Sequence, residues 1–247
     1  MCGLALNVQA SDQIRELEYA QDLASKVSTG RLLWLAAKPH DFLTLWTEAE
    51  KTDNTNAAIL LHDMGQHPDQ APLIQGLRTV LPQHGWATLS LQMPLREREA
   101  SALDYYGLFD EAQARIHAAV EFLRQQGAQN IALVGYGMGA AMACYSLSQK
   151  SAGIFGWVAI SLPWPDSSLP QAQVGDWMQQ IALPFLDLYA EFDLPAVVDK
   201  ARQRRMLAKD NPVYRQVMIN GETHGFDHDP DLVIKRVYSW LALNLSP

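Results

Sequence analysis

The sequence predicts an α/β protein built on a mostly parallel, doubly wound sheet with an antiparallel N-terminal edge. Three observations carry this. Apolar runs at 57–61, 86–91, 131–134, 154–161, 183–189 and 213–219 lack polar alternation, the pattern of strands covered on both faces. Helix-length segments lie between them. Two shorter β-like runs, 31–37 and 42–49, come first, parted by the turn-prone Lys38-Pro39-His40-Asp41, and supply the antiparallel edge.

In chain order, Ile14, Leu17, Ala20, Ala24 and Val27 recur at helical spacing, which predicts a leading helix. Ala112, Ile116, Ala119 and Leu123 form a second stripe, stopped by Gly127. Val233, Val237, Trp240 and Leu241 form a third, with Asp229 as N-cap and Pro230 as first helical residue. With no repeat, low-complexity tract or linker, residues 11–247 are expected to form one domain.

Composition narrows the function classes. A formal charge of −8 without clustered cations argues against a nucleic-acid surface, which needs Lys and Arg to replace counterions. Cys2 and Cys144 are too few for a disulfide framework or a cysteine zinc site, and no apolar stretch is long enough to span a bilayer. Residues 1–10, MCGLALNVQA, are apolar and uncharged, with small residues Val8 and Ala10 just before the polar junction at Ser11. They fit the tail of a signal peptide with Met1 as an internal methionine, so export to the periplasm is the expectation; a cytosolic N-terminus is the alternative.

The chemistry-bearing signal is 131–143, a buried strand running through Gly135-Tyr136-Gly137-Met138-Gly139 into an Ala-rich helix. Gly-x-Ser-x-Gly in this strand–turn–helix setting is the nucleophile elbow of the α/β-hydrolase fold. Here the nucleophile slot holds Gly137. A dinucleotide fingerprint is a weaker match, because the spacing is not Gly-x-Gly-x-x-Gly and the strand is not the first of a βαβ unit. A glycine turn with purely packing reasons is the bland alternative. Downstream, Asp193 follows the strand at 183–189, and His224 lies between the last strand and the last helix. Gly137, Asp193 and His224 thus occupy the nucleophile, acid and histidine slots in hydrolase order, with Asp193 expected to orient the imidazole. Glu191 and Glu222 are expected to be solvated. Asp187, inside an apolar run, must meet a helix N-terminus, a buried donor or a protected edge.

After the first long strand comes Leu61-His62-Asp63-Met64-Gly65, where hydrolases carry a loop donating the second oxyanion N–H. Met138, Asp63 and Met64 are therefore the oxyanion or ligand-binding candidates. Asp63 stands in place of the usual glycine and would repel an oxyanion unless it points away. The rim is rich in His62, His67, Asp69, Asp227, His228 and Asp229. Without fixed short-range ligand spacing, Asp69 and Asp229 are assigned as helix caps rather than metal ligands, and no metal or other cofactor is expected. Asp53, Arg96 and Glu97 look like solvated charges. Trp164, between Pro163 and Pro165, either walls a ligand pocket or simply packs.

The segments Leu61-His62…Gly65-Gln66-His67-Pro68-Asp69, Gly85-Trp86-Ala87-Thr88-Leu89-Ser90-Leu91-Gln92 and Asp187…Asp193-Leu194-Pro195 resemble the bacterial DUF3530 family. This is a family of unknown function in the α/β-hydrolase superfamily, and the resemblance runs from about Leu32 to the C-terminus. It implies the fold and an exported protein, but no reaction. The superfamily's acid and histidine slots carry over to Asp193 and His224, and its nucleophile slot to Gly137, a mismatch that puts acyl-enzyme chemistry in doubt. Three readings follow. One is a degenerate triad binding a small or acyl-type ligand with little or no turnover. The second is an ester hydrolase in which His224 and Asp193 activate a water in the room beside Gly137. The third is metal-assisted chemistry at the rim. A small molecule is the expected partner, and the sequence gives no oligomeric state.

Overall fold

The computed structural model describes residues 11–50, 55–149 and 153–245; the N-terminal ten residues, and with them the signal-peptide expectation, lie outside that set, as does Asp53. The described strands form one eight-stranded sheet in the order β1-β2-β4-β3-β5-β6-β7-β8. They are β1 (Arg31–Leu35), β2 (Phe42–Thr47), β3 (Asn56–Leu61), β4 (Ala87–Leu91), β5 (Asn130–Tyr136), β6 (Gly156–Ile160), β7 (Phe185–Phe192) and β8 (Tyr214–Thr223). β2 pairs antiparallel with both β1 and β4, and the remaining neighbours are parallel. The helices are α1 (Gln13–Lys26), α2 (Leu73–Val80), α3 (Phe109–Gln125), α4 (Met138–Gln149), α5 (Val174–Gln179), α6 (Pro195–Val198), α7 (Ala201–Leu207) and α8 (Pro230–Asn244).

Strand alternation assigns the two layers. Along β3, Ala57, Ile59 and Leu61 face a core shared with α3 and α4, while Ala58 and Leu60 face one shared with α2 and α8. Both faces are covered, so every β4 and β6 residue is buried, which explains their unbroken apolar runs. On the second face α2 and α8 cross closely at Gly76, where a Cβ would come within 2.4 Å of Ile234 Cδ1.

Several expected elements take different roles. In α1 the residues facing inward are Glu16, Ala20 and Leu23, whereas Ile14 and Leu17 of the apolar stripe stand in solvent. The helix turns this way because Glu16 is claimed by Arg115 at 2.9 Å and by the Leu95 N–H at 3.1 Å. Asp229 caps α8 as expected, accepting from Leu232 N–H, and Gly127 ends α3 with φ +95°. Asp69 is not a cap. α2 begins only at Leu73, and Asp69 instead pairs with buried Arg78 at 2.7 Å. Arg96 is buried rather than solvated, its guanidinium held by exposed Glu97. Glu222 is buried too, accepting from the backbone N–H of Asp229 and His228 at the start of α8.

Candidate functional site: a filled nucleophile elbow

The carboxyl ends of β3, β5, β6, β7 and β8 bring the predicted residues together. Between β5 and α4 the chain turns at Gly137 with φ +55°, the left-handed region that costs a side-chain-bearing residue about 1–3 kcal/mol. The flanking glycines are sterically required. A Cβ on Gly135 would lie 2.6 Å from Ala140 Cα, and one on Gly139 2.5 Å from the Leu61 and His62 carbonyl oxygens. The backbone is that of a nucleophile elbow.

The space above the turn is occupied. A Cβ at Gly137 would meet Asp63 Oδ1 at 2.1 Å and its Cγ at 2.2 Å. Asp63 points inward, so the escape from repulsion by pointing away is not the one taken. Its Oδ1 accepts from Met138 N–H at 2.6 Å and from Met64 N–H at 2.7 Å, the two amides assigned as oxyanion donors. Its Oδ2 lies 2.9 Å from His224 Nε2. The room expected for an attacking water beside Gly137 is therefore filled by a carboxylate.

His224 joins the two acids. Its Nδ1 lies 2.7 Å from Asp193 Oδ1, so each ring nitrogen faces a carboxyl oxygen, an arrangement that an imidazolium satisfies by donating on both sides. Burial opposes the charged ring, but hydrogen bonds and charge from Asp193 and Asp63 outweigh it and lift the pKa from 6.5 to about 9. Burial likewise acts to raise the Asp193 pKa, and hydrogen bonds from His224 and Ser161 reverse it to a net lowering. Asp193, its side chain fully buried, also accepts from the backbone N–H of Ala190 at 3.1 Å and of Leu194 at 2.8 Å. That donor set holds it ionised without solvent.

Three supporting residues escaped the sequence reading of the triad. Ser161, at the end of β6 with φ +54°, donates its hydroxyl to Asp193 Oδ2. Tyr136, the variable residue of the elbow, donates to the His224 carbonyl at 2.7 Å and stacks on the imidazole at 5.3 Å. His62 positions the Asp63 loop. Its Nδ1–H donates to the Asp63 carbonyl at 2.7 Å and its Nε2 accepts from Met93 N–H at 2.9 Å, and burial lowers its pKa to about 3. Ser161 lies in no motif, and Tyr136 and His62, though inside the elbow and rim-loop segments, act through contacts made only after folding. The other rim histidines stay apart; His67 Nδ1, for instance, accepts from Asp69 N–H at 3.2 Å. Among the described residues no group of three or more His, Cys, Asp or Glu is placed to hold a metal ion.

The hollow beside Asp63 is lined by His62, Met64, Met93, Tyr105, Met138 and Met142, whose side chains leave no volume for even a small ligand. The site as it stands is a closed acid–imidazolium–acid bridge on a hydrolase backbone.

Known structures agree on the backbone. The Est1E protein from Butyrivibrio proteoclasticus superposes with a TM-score of 0.68 at 16% identity, covering 86% of this chain and 98% of its own. The Pyrococcus furiosus esterase Pf2001 gives 0.71 at 15%, covering 92% and 96%. A dienelactone hydrolase from Anabaena variabilis gives 0.69 at 18%, covering 87% and 98%. The protein is thus of the α/β-hydrolase fold. No curated protein matches the sequence. Over residues 9–105 and 108–242 it matches the family described as a protein of unknown function, DUF3530, and the chain belongs to that family.

Proposed function

We propose that this protein is a non-acylating member of the hydrolase fold, working by binding a small, acyl-type ligand rather than turning it over. The carrying observation is the Asp63 carboxylate, which takes both oxyanion amides and the space of the absent serine oxygen. Acyl transfer needs those amides free to receive a developing negative charge, and here a full negative charge already satisfies them. It also needs a neutral histidine to accept a proton, whereas His224 stays protonated up to about pH 9.

A fluorophosphonate probe together with an ester and thioester panel tests this. The expected outcome is no label and no turnover for the native chain and for Gly137→Ser alone, whose new Cβ collides with Asp63. Combining Gly137→Ser with Asp63→Gly vacates the amides, releases one acid from His224, and is expected to give a labelled serine. Labelling or efficient turnover by the native chain would overturn the proposal.

A further inference from the structure

The geometry points to a second site, away from the elbow: a groove that binds an anionic amphiphile, an apolar chain ending in a carboxylate. It deepens the binding reading above by placing the ligand where there is room. The filled elbow cannot take it. The groove has a volume of about 650 Å³ and is walled by Trp164, Asp166, Lys200, Arg202, Gln203, Met206 and Leu207, within the about 300–1,000 Å³ usual for small-ligand sites. It lies on the same rim. Trp164 follows β6 just beyond Ser161 and is fastened to α6 through its N–H to the Ala196 carbonyl at 2.8 Å.

Two features select the ligand. The walls are largely apolar: Trp164 and Leu207 back onto the core, and Met206 is 58% exposed with no protein partner over it. The rim is cationic in an otherwise acidic chain. Lys200, Arg202, Arg204, Arg205 and Lys209 put five of the nineteen Lys and Arg residues into 200–209, a stretch bounded by Asp199 and Asp210, and Lys200 and Arg202 are the two that line the groove. Arg204 is spent, buried against Asp187 at 2.9 Å, while Arg202 and Arg205 are exposed and make no ion pair among the described residues. Such guanidinium groups suit a carboxylate's paired oxygens.

Lys200 marks where the head group sits. Its ammonium lies 5.8 Å from the Trp164 ring centroid and pairs with Asp166, whose side chain is 87% exposed against 15% for Lys200. A solvated carboxylate holding a sheltered ammonium over an aromatic wall is a placeholder that a ligand carboxylate can displace, one acid for another.

Titration with dodecanoate below its micelle concentration, followed by calorimetry and tryptophan emission, tests this on the intact chain. Saturable one-site binding is expected, with dodecan-1-ol about tenfold weaker or worse for want of the charge. Lys200→Gln and Arg202→Gln should each weaken dodecanoate about threefold to tenfold. Asp166→Asn should tighten it by removing the competitor, and Trp164→Phe should abolish the emission change. Arg202 is exposed, so its variant keeps the test valid if Lys200→Gln misfolds. Absence of saturable binding, indifference to all four substitutions, or binding to anionic vesicles but not to the monomeric acid would overturn the assignment. The probe-labelling outcome at the elbow is independent of this titration, so either proposal can fail alone.

Discussion

Two carboxylates of this fold, one sealed inside β7 and one partly buried beyond β3, hold cations, and they do so differently. Asp187, on β7, is sealed with Arg204 at 0% exposure on both sides and also accepts from Tyr214 Oη at 3.1 Å and Gln216 Nε2 at 2.8 Å. Arg204 in turn donates to the Val197 carbonyl at 2.7 Å, which fastens α6 and α7 to the sheet. Asp63, at the end of β3, meets an imidazolium that is 23% exposed and can lose its proton. The first pair is a permanent fastening under the groove. The second is a titratable bridge across the cleft. The His224 bridge is therefore answerable to pH.

The sharpest way to break this contrast is Arg204→Ala. It strands the Asp187 charge in the interior and should cost about 3–5 kcal/mol, read from urea unfolding, while the paired replacement Arg204→Met with Asp187→Leu should recover most of the loss. A cost below about 1 kcal/mol for the single variant would show that the pair is not sealed.

Next in size is pH. The His224 pKa is raised on folding, from 6.5 to about 9, so its contribution is complete below about pH 6.5 and is lost as pH rises through 9. At full strength it is on the order of 3 kcal/mol. Unfolding free energy should therefore fall on the alkaline side, and an NMR titration of the ring should midpoint near 9. Asp63→Asn should move that midpoint down and flatten the alkaline fall, whereas Arg204→Ala should leave both in place. Equal response of the two variants would erase the distinction.

Smaller again is Gly137→Ala. It adds a Cβ in a left-handed turn, worth about 1–3 kcal/mol, and displaces Asp63. Paired with Asp63→Gly the clash is relieved, so the thermal unfolding loss of the double variant should be smaller than the sum of the two single losses.

Much of this was legible in the sequence, for reasons that differ residue by residue. Gly137, Asp193 and His224 are readable because chain order fixes which sheet edge each reaches, and the structure places them together. Asp187 was recognised as needing a partner, since an apolar run cannot hide a bare charge; which partner depends on α7 folding back. Asp63 was visible as a departure from the expected loop, but its direction was not. That is set by His62, whose ring anchors the Asp63 carbonyl while two amides collect the carboxylate. Glu222 reads as solvated because it comes late in an edge strand, whereas the backbone N–H groups of His228 and Asp229, just before α8, turn onto it. α2 went unread because no stripe was recognised between 73 and 80, although Leu73, Ile74, Leu77 and Arg78 are buried there.

Gly76 carries no chemistry, yet it bears on the cleft. α2 departs from the loop that carries Asp63, and α8 departs from the loop that carries His224. Their crossing depth is limited by Ile234 lying where a Cβ of residue 76 would be. A methyl group there would first have to turn the Ile234 tip aside, and only what that rotation leaves unabsorbed would widen the gap between the two loop roots. How firmly the cleft stays shut is in part a matter of spacing between two helices on one underside of the sheet.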